Sequence, residues 1–115
     1  MHNVFVYGLL RGDISSPLSR VLDLYSWEYA TLPEHKVITA FGLYTVTPST
    51  NTSVWGMVYL QVDDEKLREL DMIEGEGRLY DRVEGLCRTS RWGEIPCLYY
   101  RMPYEYIKDV ESLRN

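Results

Sequence analysis

Glu74 stands where an apolar residue is expected. Leu67 and Leu70 lie seven and four positions before it, offsets that share one face of a helix. Glu74 therefore continues a buried stripe. Gly75 and Gly77 follow, and glycines there stop the helix and open space beside the carboxylate. A carboxyl pushed toward a core resists ionising, so its pKa rises toward neutrality. Such a group can take up and release a proton near pH 7. On residues alone a second reading stays open, in which Glu74 pairs with a basic residue such as Arg82 or caps a loop.

The other chemically useful stretch follows a short apolar run. Residues 3–7 read Asn-Val-Phe-Val-Tyr and end at Gly8, the pattern of a central strand buried on both faces. Gly8 lets the backbone turn sharply or approach a ligand. Leu9 and Leu10 are too apolar for an exposed loop, so they line a pocket or pack beneath one.

Several chemistries are excluded by what is missing. His2 and His35 are the two histidines and are far apart. They support neither a metal site nor a Ser-His-Asp triad. Cys87 and Cys97 are the two cysteines, too few and too isolated for zinc. Free thiols of a cytoplasmic protein are the default, although a hairpin turning at Trp92-Gly93 would set the two opposite each other and in reach of a disulfide. Asn51-Thr52-Ser53 matches a glycosylation acceptor, a short pattern with little meaning without secretion. The net charge is −5 with no basic cluster, a poor basis for binding phosphates and hence nucleic acid. No apolar run approaches the roughly 20 residues of a membrane-spanning helix, and the first residues lack the pattern of a signal peptide.

The elements that must position Glu74 and the Gly8 turn can be read in order. The 115 residues suit one domain spanning 1–115. Ser16-Pro17 starts a helix over about 17–24, with Leu18, Val21, Leu22 and Tyr25 on one face. Residues 27–32 and 35–46 are strand-like; Pro33 interrupts the first stretch, and Gly42 bends the second. Residues 47–53 form a polar loop by composition. Residues 54–62 make another strand, where Gly56 allows close packing. Asp63 caps the helix that carries Leu67, Leu70 and Glu74, and Asp64 and Glu65 complement its dipole. Strands over 79–89 and 95–101 flank a turn at 91–94, and Pro96 places the start of the last near an edge. Pro103 opens a terminal helix with Ile107, Val110 and Leu113 inward. Six or so strands with two or three short helices, not in regular alternation, predict an α+β fold: a small, mixed, mostly antiparallel β-barrel, closed or nearly so.

Three stretches together resemble the gamma-glutamylcyclotransferase-like family. Val4-Phe5-Val6-Tyr7-Gly8-Leu9-Leu10-Arg11 is similar to its first strand and Tyr-Gly-(Ser/Thr)-Leu loop. Leu70-Asp71-Met72-Ile73-Glu74-Gly75, with Tyr80 and Arg82, resembles its Leu-Asp-x-x-Glu-Gly…Tyr-x-Arg segment. Val54-Trp55-Gly56-Met57-Val58-Tyr59 is similar to its middle strand. The resemblance spans roughly residues 3–101 and implies a small α+β barrel with a pocket between the Tyr7 to Leu10 loop and Glu74. It further implies a small-molecule γ-glutamyl substrate whose α-amine attacks its own δ-carbonyl, giving 5-oxoproline and a free amine without cofactor or metal. Glu74 would be the catalytic acid/base. Backbone amides of Gly8, Leu9 and Leu10 would hold the substrate's carboxylate or oxyanion, and Tyr7 and Tyr80 would shape the pocket and bind substrate. Proximity would do much of the work of ring closure.

Leu9 departs from the family pattern, replacing a hydroxyl with a larger apolar group. It motivates an alternative, a catalytically silent module on the same fold that binds a small ligand or a protein. A third reading, an oligonucleotide-binding barrel, follows from the strand count and the ten tyrosines, but the acidic balance opposes it.

Overall fold

The computed structural model describes residues 1–7, 21–73 and 80–108, together with the backbone of Glu74. Its strands are β1 (His2–Tyr7), β2 (Trp27–Ala40), β3 (Leu43–Val62), β4 (Asp81–Thr89) and β5 (Gly93–Arg101), and helix α1 (Asp64–Glu74) lies between β3 and β4. A short helical turn covers 104–108. The strands close into a barrel in the order β1-β3-β2-β4-β5. Four of its five seams are antiparallel, and β1 meets β5 in parallel at Val4 and Leu98. The fold is the expected mixed, mostly antiparallel α+β barrel, with five strands among the described residues.

Alternation along the strands sorts apolar side chains into two layers. The inner layer draws on every strand: Phe5, Ala30, Leu32, Val58, Cys87, Cys97 and Tyr99 pack together inside the barrel. The outer layer covers part of the wall, where Val4, Val6, Tyr59 and Tyr100 pack against Leu67 and Leu70 of α1. β1 is thus buried on both faces, as its unbroken apolar run predicts. Gly56 has the close approach expected of it: a Cβ there would lie 2.4 Å from the Val6 carbonyl and 2.5 Å from the Phe5 ring.

α1 begins as its sequence predicts. The Asp63 carboxylate accepts from the Lys66 amide at 2.7 Å, which satisfies a backbone donor that the first turn leaves free. Asp64 and Glu65 occupy that turn. Ile107 is buried on the terminal helical turn. Residues 17–20 of the expected first helix, and Val110 and Leu113, lie outside the described residues; Val21 is helical and leads into a turn with Leu22 buried.

The stretch from 35 to 53 departs from the expectation. It is not one bent strand and a loop. The chain reverses at Phe41 and Gly42, both at positive φ (54° and 73°), and Ala40 faces Leu43 across the turn. Glycine takes that conformation without steric cost, so Gly42 marks a hairpin turn and not a bend or bulge within one strand. The ladder then runs back through residues 47 and 48, which pair with Lys36 and His35. Pro33 pairs with Ser53 and His35 with Pro48, so residues 49–52 bulge from the ladder opposite Glu34. The Asn51 amide donates to the Glu34 carboxylate at 3.2 Å, and Thr52 Oγ1 donates to the Ser49 carbonyl at 3.1 Å. The polar composition therefore marks an excursion within one long strand, not its end. Beyond this bulge the hairpin forms an arm whose Ile38 and Ala40 pack on Met102 and Ile107.

The cysteine register is also corrected. Cys87 faces Ile95 and Cys97 faces Gly85, so the two are diagonal neighbours on one face, not opposite partners. Both are free thiols.

Candidate active site

Because β1 and β5 run parallel, their C-terminal ends lie at the same end of the barrel. β4 starts there too, with Asp81 opposite Arg101. At this end Tyr7, the last residue of β1, donates its hydroxyl to the Tyr100 carbonyl of β5. Tyr100 sends its own side chain to the other side of the wall, beneath α1. Its hydroxyl donates to Asp71 Oδ1 at 2.5 Å. Asp71 Oδ2 accepts from Arg82 Nη1 at 2.6 Å.

The result is a half-buried network that fastens the last turn of α1 to β4 and β5. Asp71 lies four residues after Leu67 and one after Leu70, so the helical repeat brings it to the edge of the buried stripe. Arg82 and Tyr100 are register partners on neighbouring strands, which spaces them to take one oxygen each. Burial, and then the bond to Asp71, push the Tyr100 phenol well above its ordinary range, because a phenolate would be desolvated and set against a carboxylate.

Tyr80 is partly buried and donates its hydroxyl to the Tyr44 carbonyl at 2.9 Å. It thereby ties the tip of the β2–β3 arm, beside the reversal at Phe41 and Gly42, to the approach to β4. In this structure Tyr7 donates to a backbone carbonyl of β5 and Tyr80 to one of β3. Of the remaining predicted site residues, Gly8, Leu9 and Leu10 lie outside the described residues. Glu74 closes α1, and its side chain lies outside the description. Arg82, offered as a partner for Glu74, has Asp71 as its partner here. Among the described residues, no three His, Cys, Asp or Glu side chains gather in a way that could hold a metal, and no helix is long and apolar enough to cross a membrane.

Asp71 and Tyr100 received no role from the sequence. Asp71 had a usable signal: it follows Leu70 on the same helical edge that nominated Glu74. Tyr100 had none, because its importance depends on a cross-strand register that spacing alone does not supply.

The model of the gamma-glutamyl cyclotransferase, AIG2-like family matches residues 4–114. The chain belongs to this family. Among relatives of the gamma-glutamyl cyclotransferase, AIG2-like type, AIG2-like protein B of Arabidopsis thaliana is 36% identical over 87 residues, 72% of this chain and 48% of that protein. The chain thus spans about half the length of that curated relative. Solved structures share the fold. A human protein described as uncharacterised superposes with a TM-score of 0.71 at 23% identity, over 89% of this chain and 66% of that one. A structure described as gamma-glutamyl cyclotransferase gives 0.70 at 24% identity, over the same shares of the two chains.

Proposed function

We propose that this chain is a gamma-glutamyl cyclotransferase that releases 5-oxoproline from a γ-glutamyl amine, amide or peptide. The observation that carries the reading is the double attachment of Tyr100. Its carbonyl accepts from Tyr7, which directly precedes Gly8 in the sequence, and its hydroxyl binds Asp71, three residues before Glu74. The loop and the carboxylate that the family resemblance nominates therefore set out from points tied to one residue.

In this reading the substrate's α-amine attacks its own δ-carbonyl. A C–N bond forms, closing the five-membered ring, and the bond to the leaving amine breaks. Glu74 takes the proton that the attacking amine sheds and delivers one to the leaving amine. The amides of Gly8, Leu9 and Leu10 hold the substrate's carboxylate or the oxyanion, while Tyr7 and Tyr80 shape the wall. The reaction is an intramolecular displacement, so holding the γ-glutamyl chain in its folded form supplies much of the acceleration. The same reading takes the chain as a single cytoplasmic domain, which suits its unpaired thiols.

The test is a mass-spectrometric screen for 5-oxoproline with a panel of γ-glutamyl amines and peptides, run with wild type and Glu74→Gln. Glu74→Gln keeps the melting temperature and loses at least about a hundredfold in turnover, the usual scale for a general acid–base group. Full activity in that variant overturns the assignment. Leu9 favours a second reading, a silent binding module. It predicts that a γ-glutamyl compound raises the melting temperature without being consumed.

A further inference from the structure

The exterior of the barrel has two sides. On one, α1 packs over Val4, Val6, Tyr59 and Tyr100 of β1, β3 and β5. Among the described residues no helix covers the other, where β2 pairs with β3 on one edge and with β4 on the other. Ala30 and Leu32 point into the barrel, so Trp27, Tyr29 and Thr31 point out. Their register partners on β3 are Tyr59, Met57 and Trp55, and Arg88 of β4 faces Thr31. The Trp27 and Tyr29 rings meet edge-on, with centroids 5.0 Å apart and planes at 81°. Trp55 is the diagonal neighbour of Tyr29, a separation that aromatic side chains span. The three rings form one strip, exposed by 43, 62 and 70% in sequence order, with half-buried Met57 beside them.

Rings held in water add nothing to the core, so a contiguous strip of them points outward, to a contact. At about 200 Å² per ring, the strip leaves about 350 Å² of aromatic surface open, within the range of patches that serve as contact sites. One partner in a stable interface contributes about 800 Å², of which roughly 60% is apolar. The strip alone supplies most of that apolar share. Leu86, half-exposed on the same face two residues before Arg88, adds to it.

The chemistry of the patch indicates what covers it. Its centre carries no charge. Its edge carries both signs side by side, in the exposed 2.9 Å pair of Arg88 with Glu94. An edge of one sign selects a partner of the opposite sign. An edge with both signs complements itself, because a two-fold axis can set Arg88 of one copy against Glu94 of the other. The edge-on rings offer no flat platform for a sugar. The net charge of −5 without a basic cluster opposes an anionic membrane or a nucleic acid.

We propose that this strip is a two-fold interface between two copies of the chain, with Tyr29 and Trp55 at its centre. The two sheets pack face to face, about 10 Å apart, and the rings of each copy fill the spaces between those of the other. Tryptophan and tyrosine are the residues that most often anchor such contacts.

The experiment follows the mass of the full chain by sedimentation equilibrium between about 1 and 100 µM, the range in which a standard-sized interface is populated. The chain is 13.5 kDa, so the dimer is about twice that mass, and wild type is expected to reach it within this range. Trp55→Glu and Tyr29→Lys each place a charge at the centre. Each is expected to weaken association at least about thirtyfold, the scale of one anchoring residue, with an unchanged far-UV spectrum because both side chains are at the surface. Phe41→Glu removes an equally exposed ring at the tip of the β2–β3 arm and is expected to leave the mass curve as it is. A wild-type chain still monomeric at the highest concentration, masses that climb past the dimer, or a dimer that survives both charge variants would each overturn the proposal. Loss of the dimer in Phe41→Glu would do the same, by placing the contact on the arm. If one charge variant fails to fold, the wild-type curve and the other variant decide.

Discussion

Tyr99 and Tyr100 are consecutive, equally buried at 4% exposure, and held in opposite ways. Tyr99 points into the barrel, where its ring covers Gly85 and meets His35 edge-on, with centroids 5.9 Å apart. Tyr100 points outward, under α1, where a carboxylate and a guanidinium hold it. One wall therefore has two kinds of order. The inner face is specified chiefly by volume, including places where no side chain fits, with a single long contact of 3.4 Å between the Tyr99 hydroxyl and His35 Nε2. The outer face is specified by hydrogen bonds that fix where α1 ends, and so where Glu74 sets out.

The contrast can be broken first on the inner side. Gly56→Ala puts a methyl group 2.4 Å from a backbone oxygen, which no rotamer relieves. It is expected to cost about 3 kcal/mol, read as a lower urea midpoint. On the outer side Asp71→Ala leaves Arg82 and the Tyr100 hydroxyl without their shared acceptor. The expected loss is about 2 kcal/mol. Combining it with Arg82→Ala should cost less than the sum of the two single changes; strict additivity would show that the network does not act as a unit.

Tyr100→Phe sharpens the comparison through pH. The folded phenol titrates above the unfolded value of about 10. Below pH ~10 both states keep the proton and the bond's contribution is intact. Above it the unfolded chain releases its proton first, so stability falls as pH rises. Tyr100→Phe should cost about 1 kcal/mol at neutral pH and flatten that alkaline decline. Tyr99, raised by burial, retains its share. An unchanged alkaline slope would sink the assignment. The smallest effect is expected from Arg88→Ala, which breaks an exposed 2.9 Å pair with Glu94 and should shift stability by no more than about 0.5 kcal/mol.

Local chemistry was readable in advance where one element decides it. The apolar run of β1, the Asp63 cap and the close packing at Gly56 each depend on residues adjacent in sequence or on a single contact. The barrel class followed from strand density. What escaped was register. Gly42 is as compatible with a bend as with a reversal, and only pairing distinguishes them. The polar residues at 47–53 look like a loop until their partners on β2 are known. The Asp71–Arg82–Tyr100 network joins three elements, so spacing along the chain could not announce it. Glu74 and the residues 8–10 remain as proposed from sequence and family resemblance.

The bulge at 49–52 has a consequence for how this barrel tolerates change. The ladder on either side is held by its own pairs, Pro33 with Ser53 and His35 with Pro48, and residues 50–52 are exposed. Extra residues spliced in there would lengthen the excursion without shifting the pairing of either half. The arm can thus carry an epitope or a reporter while the strands below keep their places.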